Sequence, residues 1–368
     1  MVGSPRLIGS EIYRRSTYGA KHPLAIPRVS TALDLIRAMD WLGERQYIDS
    51  PCANPEQLTR FHDEDYIEAL QQAEAAQNLP DHLCEQYSLG RNGNPFFGEM
   101  FRRPATASGG SILAAKLLSE PGIVHSPAGG THHGRPGRAS GFCYLNDPVL
   151  GIFTLLDQGI APVAYVDIDA HHGDGVQDAF ADDDRLWTIS VHEQNRWPFT
   201  GATDDRGGGQ ARNMAVPTGL NDSEMMALLN RAILPLMDRI QPAAIVLQCG
   251  ADALEEDPLA KLSLSNRAHM AAVSALMPIA PRLMVLGGGG YNPWSVGRCW
   301  AVIWAVLNGH DPTVPLTGEA ESVLRGLTWR RAQGRNPPET WFTTLVDRPR
   351  PGPVRAEISD LIDAVLAP

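Results

Sequence analysis

The segment YVDIDAHHGDG, residues 165–175, places three aspartates and two adjacent histidines directly after an apolar run. Asp169 and His171 are two positions apart, so their side chains point to the same face of an extended segment. Asp252, in QCGADAL, follows the end of another predicted strand. Two carboxylates and one imidazole can hold a cation and leave a coordination position open. That arrangement is typical of a catalytic metal site and not of a structural one.

A second histidine pair, His132 and His133, lies in GGTHHGR between glycines. The 165–175 segment also supplies two carboxylates that the metal set does not use, Asp167 and Asp174. A carboxylate on one imidazole nitrogen fixes the tautomer and raises the basicity of the other nitrogen. We therefore interpret these four residues as a pair of oriented general acid/base groups.

Four consecutive glycines precede Tyr291 in LGGGGYNPW. One interpretation is a tight turn followed by a buried aromatic residue. The other is that the glycines let the backbone approach a ligand while the phenol donates to a developing oxyanion. The chain has no GxSxG motif, and the glycine run lacks the spacing of phosphate-binding loops, so a nucleophilic serine has little support.

The elements that position these groups alternate along the chain. Short apolar runs at 122–127, 162–170, 185–192, 243–250 and 282–290 predict strands, and 147–159, 222–241 and 295–309 predict helices. Apolar strands separated by helices predict a parallel sheet covered on both faces, with ligands at the carboxyl ends of the strands. The N-terminal third is predicted to be mostly helical. An apolar stripe between Ile358 and Leu366 predicts a final helix that packs on the body.

The composition favours one large core, with 43% hydrophobic residues among 368. A formal net charge of −11 argues against a nucleic-acid-binding surface but permits a basic peptide substrate. No apolar run approaches the roughly 20 residues that span a bilayer, and the start lacks a signal-peptide pattern. We expect a cytoplasmic protein without a membrane segment, and its five scattered cysteines are expected to be free thiols.

Taken together, GGTHHGR, SGFCYLND, DIDAHHGDG, QCGADAL and GGGGY resemble the motifs of the histone deacetylase family, with the bacterial acetoin-utilisation-type deacetylases most similar. The resemblance runs from 18–23 to 297–304. It implies the arginase/deacetylase α/β fold, a single domain with a central, mainly parallel eight-stranded sheet flanked by helices. We assign 1–310 to this catalytic domain and 311–368 to a C-terminal extension that packs on it.

Residue by residue, the resemblance implies a zinc ion on Asp169, His171 and Asp252. It pairs His132 with Asp167 and His133 with Asp174, with His133 as the main acid/base and His132 as an electrostatic partner. Tyr291 would polarise the acyl carbonyl. The implied substrate tunnel is lined by Gly141, Phe142, Trp197 and Leu259. A structural potassium ion is implied at Asp167, Asp169, His171, Ser190 and Val191.

The chain also departs from the family pattern. Trp197 replaces the usual phenylalanine of the second tunnel wall and Phe199 replaces a glycine, so we expect a narrower or reshaped entrance. Gly93 lies near the place where many eukaryotic members carry an acidic residue that grips the substrate backbone. The basic residues that bind inositol phosphates in eukaryotic complexes are not evident, since Ala25, Pro258 and Trp294 lie there.

The sequence thus predicts zinc-dependent hydrolysis of N-acyl amides, most simply the removal of acetyl from N-ε-acetyl-lysine in proteins or peptides. An acetylpolyamine or another small N-acetyl amine is the alternative substrate for the same site. A two-metal ureohydrolase and an acyl-lysine-binding module without turnover fit the residues less well. Ferrous iron is an alternative to zinc, because the ligand set tolerates either metal. The sequence leaves the oligomeric state open.

Overall fold

A computed structural model describes residues 3–367 and contains one eight-stranded sheet, in which every pairing is parallel. The strand order is β2-β1-β3-β8-β7-β4-β5-β6. The strands are β1 Arg6–Gly9, β2 Tyr47–Asp49, β3 Gly122–Ser126, β4 Val163–Asp167, β5 Leu186–Glu193, β6 Ala211–Val216, β7 Ala244–Gln248 and β8 Arg282–Leu286. The predicted α/β fold with eight strands is confirmed.

Helices cover both faces of this sheet. They are α1 Ile12–Arg15, α2 Val29–Ala38, α3 Pro55–Leu58, α4 Glu64–Ala76, α5 Asp81–Tyr87, α6 Arg102–Leu117, α7 Asp147–Asp157, α8 Asp174–Ala179, α9 Asp222–Leu228, α10 Leu234–Ile240, α11 Asn266–Leu276, α12 Pro293–Leu307, α13 Gly318–Arg325, α14 Thr340–Thr343 and α15 Ala356–Leu366. Among residues 3–367, no helix combines the length and the apolar character that crossing a bilayer requires.

The side-chain alternation of the strands divides the core into two layers. Val166 of β4 packs with α2, α11 and α12 on one face, whereas its neighbour Tyr165 packs with α6 and α7 on the other. A third apolar cluster contains residues of α4, α5 and α6 together with Tyr144 and Tyr291. The carboxyl ends of the central strands therefore lie between the sheet and the separately packed helical layer.

Three strands and one helix interruption differ from the sequence-based expectation. The five predicted strands form, but β1, β2 and β6 were not predicted, and the first two lie in the third of the chain expected to be mostly helical. β1 and β2 contain four and three residues, too few to display a period. The predicted helix 222–241 is divided into α9 and α10 by a π turn at Leu229–Ile233, next to Pro235.

The C-terminal segment contacts the same core. α13 packs on α2, and α15 packs on the edge strand β6. The indole nitrogen of Trp294 donates to the carbonyl of Leu324 (2.9 Å). The buried guanidinium of Arg298 in α12 donates to the carboxylate of Asp347 (2.5 Å). The division into a domain at 1–310 and an extension at 311–368 stays a prediction.

Replacing Asp347 with alanine should destabilise the whole protein. The change leaves the Arg298 side chain, which is 2% exposed, without its counter-ion. We expect the free energy of unfolding to fall by about 3–5 kcal/mol, the typical cost of an unpaired buried charge, measured by denaturant titration followed by circular dichroism. The control Asp360→Ala, on the exposed side of α15, should change it by less than about 0.5 kcal/mol. Equal effects of the two variants would contradict the anchoring role of this ion pair.

Candidate active site

The titratable residues singled out in the sequence meet at the carboxyl ends of the central strands. Asp167 is the last residue of β4, and Asp252 follows the neighbouring strand β7 in the short turn Ala251–Ala253. The glycine run follows β8, which pairs with β7. Parallel strands therefore bring segments that are far apart in the sequence to one edge of the sheet.

Asp169, His171 and Asp252 form a buried cluster whose donor atoms all lie within 4.8 Å of one another. His171 Nδ1 lies 3.0 Å from Asp252 Oδ2 and 3.3 Å from Asp169 Oδ1. Backbone amides fix the carboxylates, since Gly289 N donates to Asp169 Oδ2 (2.7 Å) and Ala170 N donates to Asp252 Oδ1 (3.0 Å). Two oxygen donors and one nitrogen donor converge on one point.

The electrostatics of this cluster favour positive charge. Burial lowers the pKa of His171, but hydrogen bonds to Asp169 and Asp252 outweigh it and raise the pKa to about 10. Burial and the neighbouring carboxylate of Asp169 raise the pKa of Asp252. Two carboxylates with few positive partners are stabilised by a cation between them. The donor set and its spacing therefore fit a divalent metal ion.

The four acid/base candidates form two hydrogen-bonded pairs. His132 Nδ1 lies 2.8 Å from Asp167 Oδ2, and His133 Nδ1 lies 2.7 Å from Asp174 Oδ1. All four side chains are buried. With Nδ1 bonded to a carboxylate, Nε2 is the nitrogen of each ring that remains available for proton transfer.

The two histidines differ in their protonation. Burial lowers the pKa of His132, but the carboxylates of Asp167 and Asp169 overcome this effect and raise the pKa to about 9. Burial and the positive charge of His132 lower the pKa of His133 to about 3, despite its bond to Asp174. The pKa values of the two adjacent imidazoles are thus shifted in opposite directions, which favours the protonated form of His132 and the neutral form of His133.

Tyr291 lies at the end of the glycine run and is only 7% exposed. Burial, followed by the charges of Asp252 and Asp169, raises the pKa of its phenol well above the usual value, so the hydroxyl keeps its proton. Its backbone amide donates to the buried carboxylate of Asp257 (2.7 Å). The side chain is thus held as a neutral hydrogen-bond donor beside the metal ligands.

The glycine run approaches the carboxylates of the predicted metal ligands Asp169 and Asp252. A Cβ on Gly289 would lie 1.9 Å from Asp252 Oδ2, and one on Gly250 would lie 2.0 Å from Asp169 Oδ2. Gly288 also has a φ of +132°, a conformation that favours glycine. Glycine is required here so that backbone can pack against the two carboxylates.

A cavity of about 660 Å³ leads to this cluster. Its lining includes all four predicted tunnel residues, Gly141, Phe142, Trp197 and Leu259, together with His133, His171 and Tyr291. The Trp197 ring meets the His133 ring edge-to-face at 4.7 Å. A Cβ on Gly141 would lie 2.3 Å from the Trp197 ring, so these two residues pack tightly against each other.

The two bulky substitutions at the entrance behave differently. Trp197 packs on Gly141 and His133 in the cavity wall, and the narrower entrance stays a prediction. Phe199 has a positive φ of 65° and is 74% exposed, so it lies at the rim without filling the passage. Gly93 lies beside Phe142, and Asn94 accepts the Phe142 amide (3.0 Å).

The residues predicted to bind potassium lie at the ends of β4 and β5. The register pairs Asp167 with Ser190, and Val191 follows in β5. Ser190 Oγ lies 2.9 Å from His192 Nδ1. Asp169 and His171 continue from the end of β4, so the five residues share one edge of the sheet. The potassium site stays a prediction.

Several supporting residues were missed by the sequence analysis. Arg135 bonds to the carboxylates of Asp174 and Asp178. The Tyr165 hydroxyl lies 2.7 Å from both Asp167 Oδ2 and Gln248 Oε1. The sequence could have indicated Arg135 as a supporting residue, because it lies two residues after His133. The roles of Tyr165 and Gln248 depend on strand pairing, which the sequence does not display.

Comparison with known proteins agrees with this geometry. The histone deacetylase domain model matches residues 22–307. The chain is 37% identical over 299 residues to histone deacetylase 9 of Arabidopsis thaliana, covering 79% of this chain and 70% of that protein. It is 34% identical over 302 residues to human histone deacetylase 1, covering 78% of this chain but only 61% of that relative.

Solved structures extend the likeness to almost the whole chain. A crystal structure of an HDAC homologue complexed with SAHA has a TM-score of 0.93 and 36% identity, covering 99% of this chain and 100% of that one. An HDAC homologue from Aquifex aeolicus has the same TM-score and coverage at 35% identity. On the matched domain, the shared fold and the assembled site, the chain belongs to the histone deacetylase family, a family of metal-dependent hydrolases.

Proposed function

We propose that this protein hydrolyses N-acyl amides and that its main reaction is the removal of acetyl from N-ε-acetyl-lysine in proteins or peptides. The observation that carries the proposal is the convergence of three metal-ligand side chains, two histidine–aspartate pairs and a protonated tyrosine at the end of one cavity. Each group has a task in amide hydrolysis, and the family membership supports the same chemistry.

Asp169, His171 and Asp252 would hold the metal ion, for which we propose zinc, with ferrous iron as the alternative for the same ligands. When bound, such an ion polarises the acyl carbonyl and lowers the pKa of water toward about 7. Three protein ligands leave a position open for water and substrate. We also propose that a potassium ion stabilises the neighbouring strand ends at Asp167, Asp169, His171, Ser190 and Val191.

His133 is the proposed general base and acid. Its Nδ1 is bonded to Asp174, and its ring borders the cavity, so Nε2 is free to accept a proton from the attacking water. The same nitrogen then protonates the leaving amine. The carboxylates of Asp167 and Asp169 raise the pKa of His132, which would therefore contribute a positive charge beside the reaction.

Tyr291 is the proposed donor to the oxyanion of the tetrahedral intermediate. Its hydroxyl stays protonated, and the backbone bond to Asp257 holds the residue in place. A second cavity of only about 40 Å³ borders Tyr291, His132 and the three metal ligands. This space suits a small acyl group, which supports acetyl as the group removed. An acetylpolyamine would use the same residues, so the substrate alternative depends on the entrance. A cytoplasmic location is part of the proposal.

The primary test measures acetate release from an acetyl-lysine peptide by the zinc-loaded protein. We expect turnover by the unmodified chain and none by Asp252→Asn, which removes one ligand charge. Elemental analysis should find less than one zinc ion per molecule of this variant, because only Asp169 and His171 remain as strong ligands. Asp238→Asn, an exposed position, is the matched control and should retain both. Retained activity in Asp252→Asn without zinc would refute the metal assignment.

The substitution Tyr291→Phe tests the oxyanion donor. Loss of one such donor commonly lowers kcat by about 10²–10³, and we expect a decrease of that order with zinc content unchanged. The phenol makes no hydrogen bond to another described residue, so the variant should fold normally. Tyr47→Phe, on the distant edge strand β2, serves as the control. Near-complete activity of Tyr291→Phe would show that the phenol does not stabilise the transition state.

The unequal roles of the two histidines predict unequal losses. His133→Ala removes the group that moves the proton and should lower kcat by about 10²–10⁴. His132→Ala removes a fixed charge and should lower kcat less. Both variants are compared at equal zinc content and with the same peptide. A larger loss in His132→Ala than in His133→Ala would reverse the assignment of general base and electrostatic partner.

A further inference from the structure

The entrance of the 660 Å³ cavity carries a charge that the proposed chemistry does not use. We define the mouth as the exposed residues that line this cavity, namely Asn92, Arg138, Asn195, Trp197 and Phe199. Within residues 3–367, the whole cavity lining contains two arginines and no aspartate or glutamate. The entrance of an enzyme whose net charge is −11 is therefore locally basic.

The two arginines of the lining are not equivalent. Arg196 donates from Nε and Nη2 to both oxygens of Glu193 (2.8 and 2.7 Å), so its charge is neutralised by a buried carboxylate. Among the ion pairs and hydrogen bonds of the described residues, none involves the side chain of Arg138. Arg138 is therefore the arginine of this lining whose side chain makes no ion pair with another described residue, and the carboxylate of Asp63 lies beside the neighbouring Gly137.

The backbone on both sides of Arg138 is fixed. Arg135 N donates to the Arg138 carbonyl (3.1 Å), and Ala139 N donates to the Tyr87 carbonyl (3.0 Å). Arg135 itself is held by the carboxylates of Asp174 and Asp178. The guanidinium of Arg138 can move only as far as its own side chain allows, so it stays at the entrance.

The geometry of the substrate determines which atoms meet this charge. With the acetamide at the metal ligands, the same number of methylene groups separates it from Cα in acetyl-lysine and from the second nitrogen in N-acetylputrescine. In the polyamine, a positively charged ammonium thus arrives where the peptide presents its neutral Cα. At that place the cavity offers Arg138, the aromatic rings of Trp197 and Phe199, and amide or hydroxyl groups, with no carboxylate in the described lining.

We infer that Arg138 is a specificity-determining residue that directs the site to acetyl-lysine flanked by acidic residues and disfavours acetylpolyamines. The inference rests on the proposed deacetylase function and selects one of its two substrate classes. An aspartate or glutamate next to the acetylated lysine would pair with Arg138 at the mouth. An ammonium of a polyamine would be repelled there.

The overall negative charge of the protein does not cancel this local effect. At physiological ionic strength the Debye length is about 8 Å, so carboxylates scattered over the surface are largely screened from the mouth. A partly exposed charge pair changes an equilibrium by roughly twofold to fivefold. Attraction of an acidic neighbour and repulsion of a basic one act in the same direction. The two factors multiply, so we expect a ratio of about fourfold to 25-fold between kcat/KM for the acidic and the basic peptide.

The experiment compares three substrates of the zinc-loaded protein: an acetyl-lysine peptide flanked by aspartates, the same peptide flanked by arginines, and N-acetylputrescine. We expect kcat/KM to fall in that order, with the difference between peptides decreasing at high salt. Arg138→Glu should reverse the preference between the two peptides and improve hydrolysis of N-acetylputrescine. The control Arg335→Glu changes the net charge equally at an exposed position outside the cavity lining and should keep the original order.

Binding of the same two peptides is measured by fluorescence anisotropy. It tests the role of Arg138 separately from the proposed hydrolysis. Equal binding of acidic and basic peptides by the unmodified protein would overturn the role of Arg138, as would an unchanged preference in Arg138→Glu. Tighter binding of the acidic peptide without any acetate release would support the charge at the mouth and refute the proposed hydrolysis. Faster turnover of N-acetylputrescine than of either peptide would also overturn the inference.

Discussion

The burial of Asp169 and Asp252 beside one another is the constraint on which the site depends. Two carboxylates at the ends of β4 and β7 repel each other and lose their hydration, a cost of several kcal/mol for each ion before compensation. The structure offsets this cost locally with backbone amides from Ala170 and Gly289 and with the imidazole of His171. A cation between the two carboxylates would offset the remaining cost, which fits the proposed metal site.

The need for backbone to pack against the carboxylates of Asp169 and Asp252 explains Gly250 and Gly289 better than a contact with substrate does. An amide reaches a buried carboxylate only when no side chain intervenes, and a Cβ on Gly250 or Gly289 would overlap the aspartate oxygens. The same close approach fixes the turn that leads to Tyr291. The proposed oxyanion donor Tyr291 and the backbone amide that donates to Asp169 therefore lie in one loop. A substitution in this loop would disturb both at once.

The sequence predicted the fold, and the residues that it singled out for chemistry lie together at one edge of the sheet, for a physical reason. An apolar run that ends in a cluster of Asp, His and Gly indicates a strand, the loop after it and polar side chains at the strand end. The segments 162–170 and 243–250 show this pattern. The sequence did not predict β1, β2 and β6, since the first two are too short to show a period. It also missed Tyr165 and Gln248, whose contact with Asp167 arises from the pairing of β4 with β7. Residue spacing along the chain indicates which side chains share a face of one strand or helix. The contacts of Tyr165 and Gln248 with Asp167 join two different strands, so spacing does not reveal them.

The difference between His132 and His133 shows how far neighbours can separate two identical side chains. Both are buried and both bind one aspartate through Nδ1. His132 also has Asp169 at 3.8 Å from its Nε2, whereas Asp174 divides its charge between His133 and Arg135. The first imidazole thus lies between two carboxylates, and the second shares one carboxylate with a guanidinium and faces the charge of the first. Burial, together with the charge of His132, therefore lowers the pKa of His133, which is the difference that the proposed roles of fixed charge and general base require.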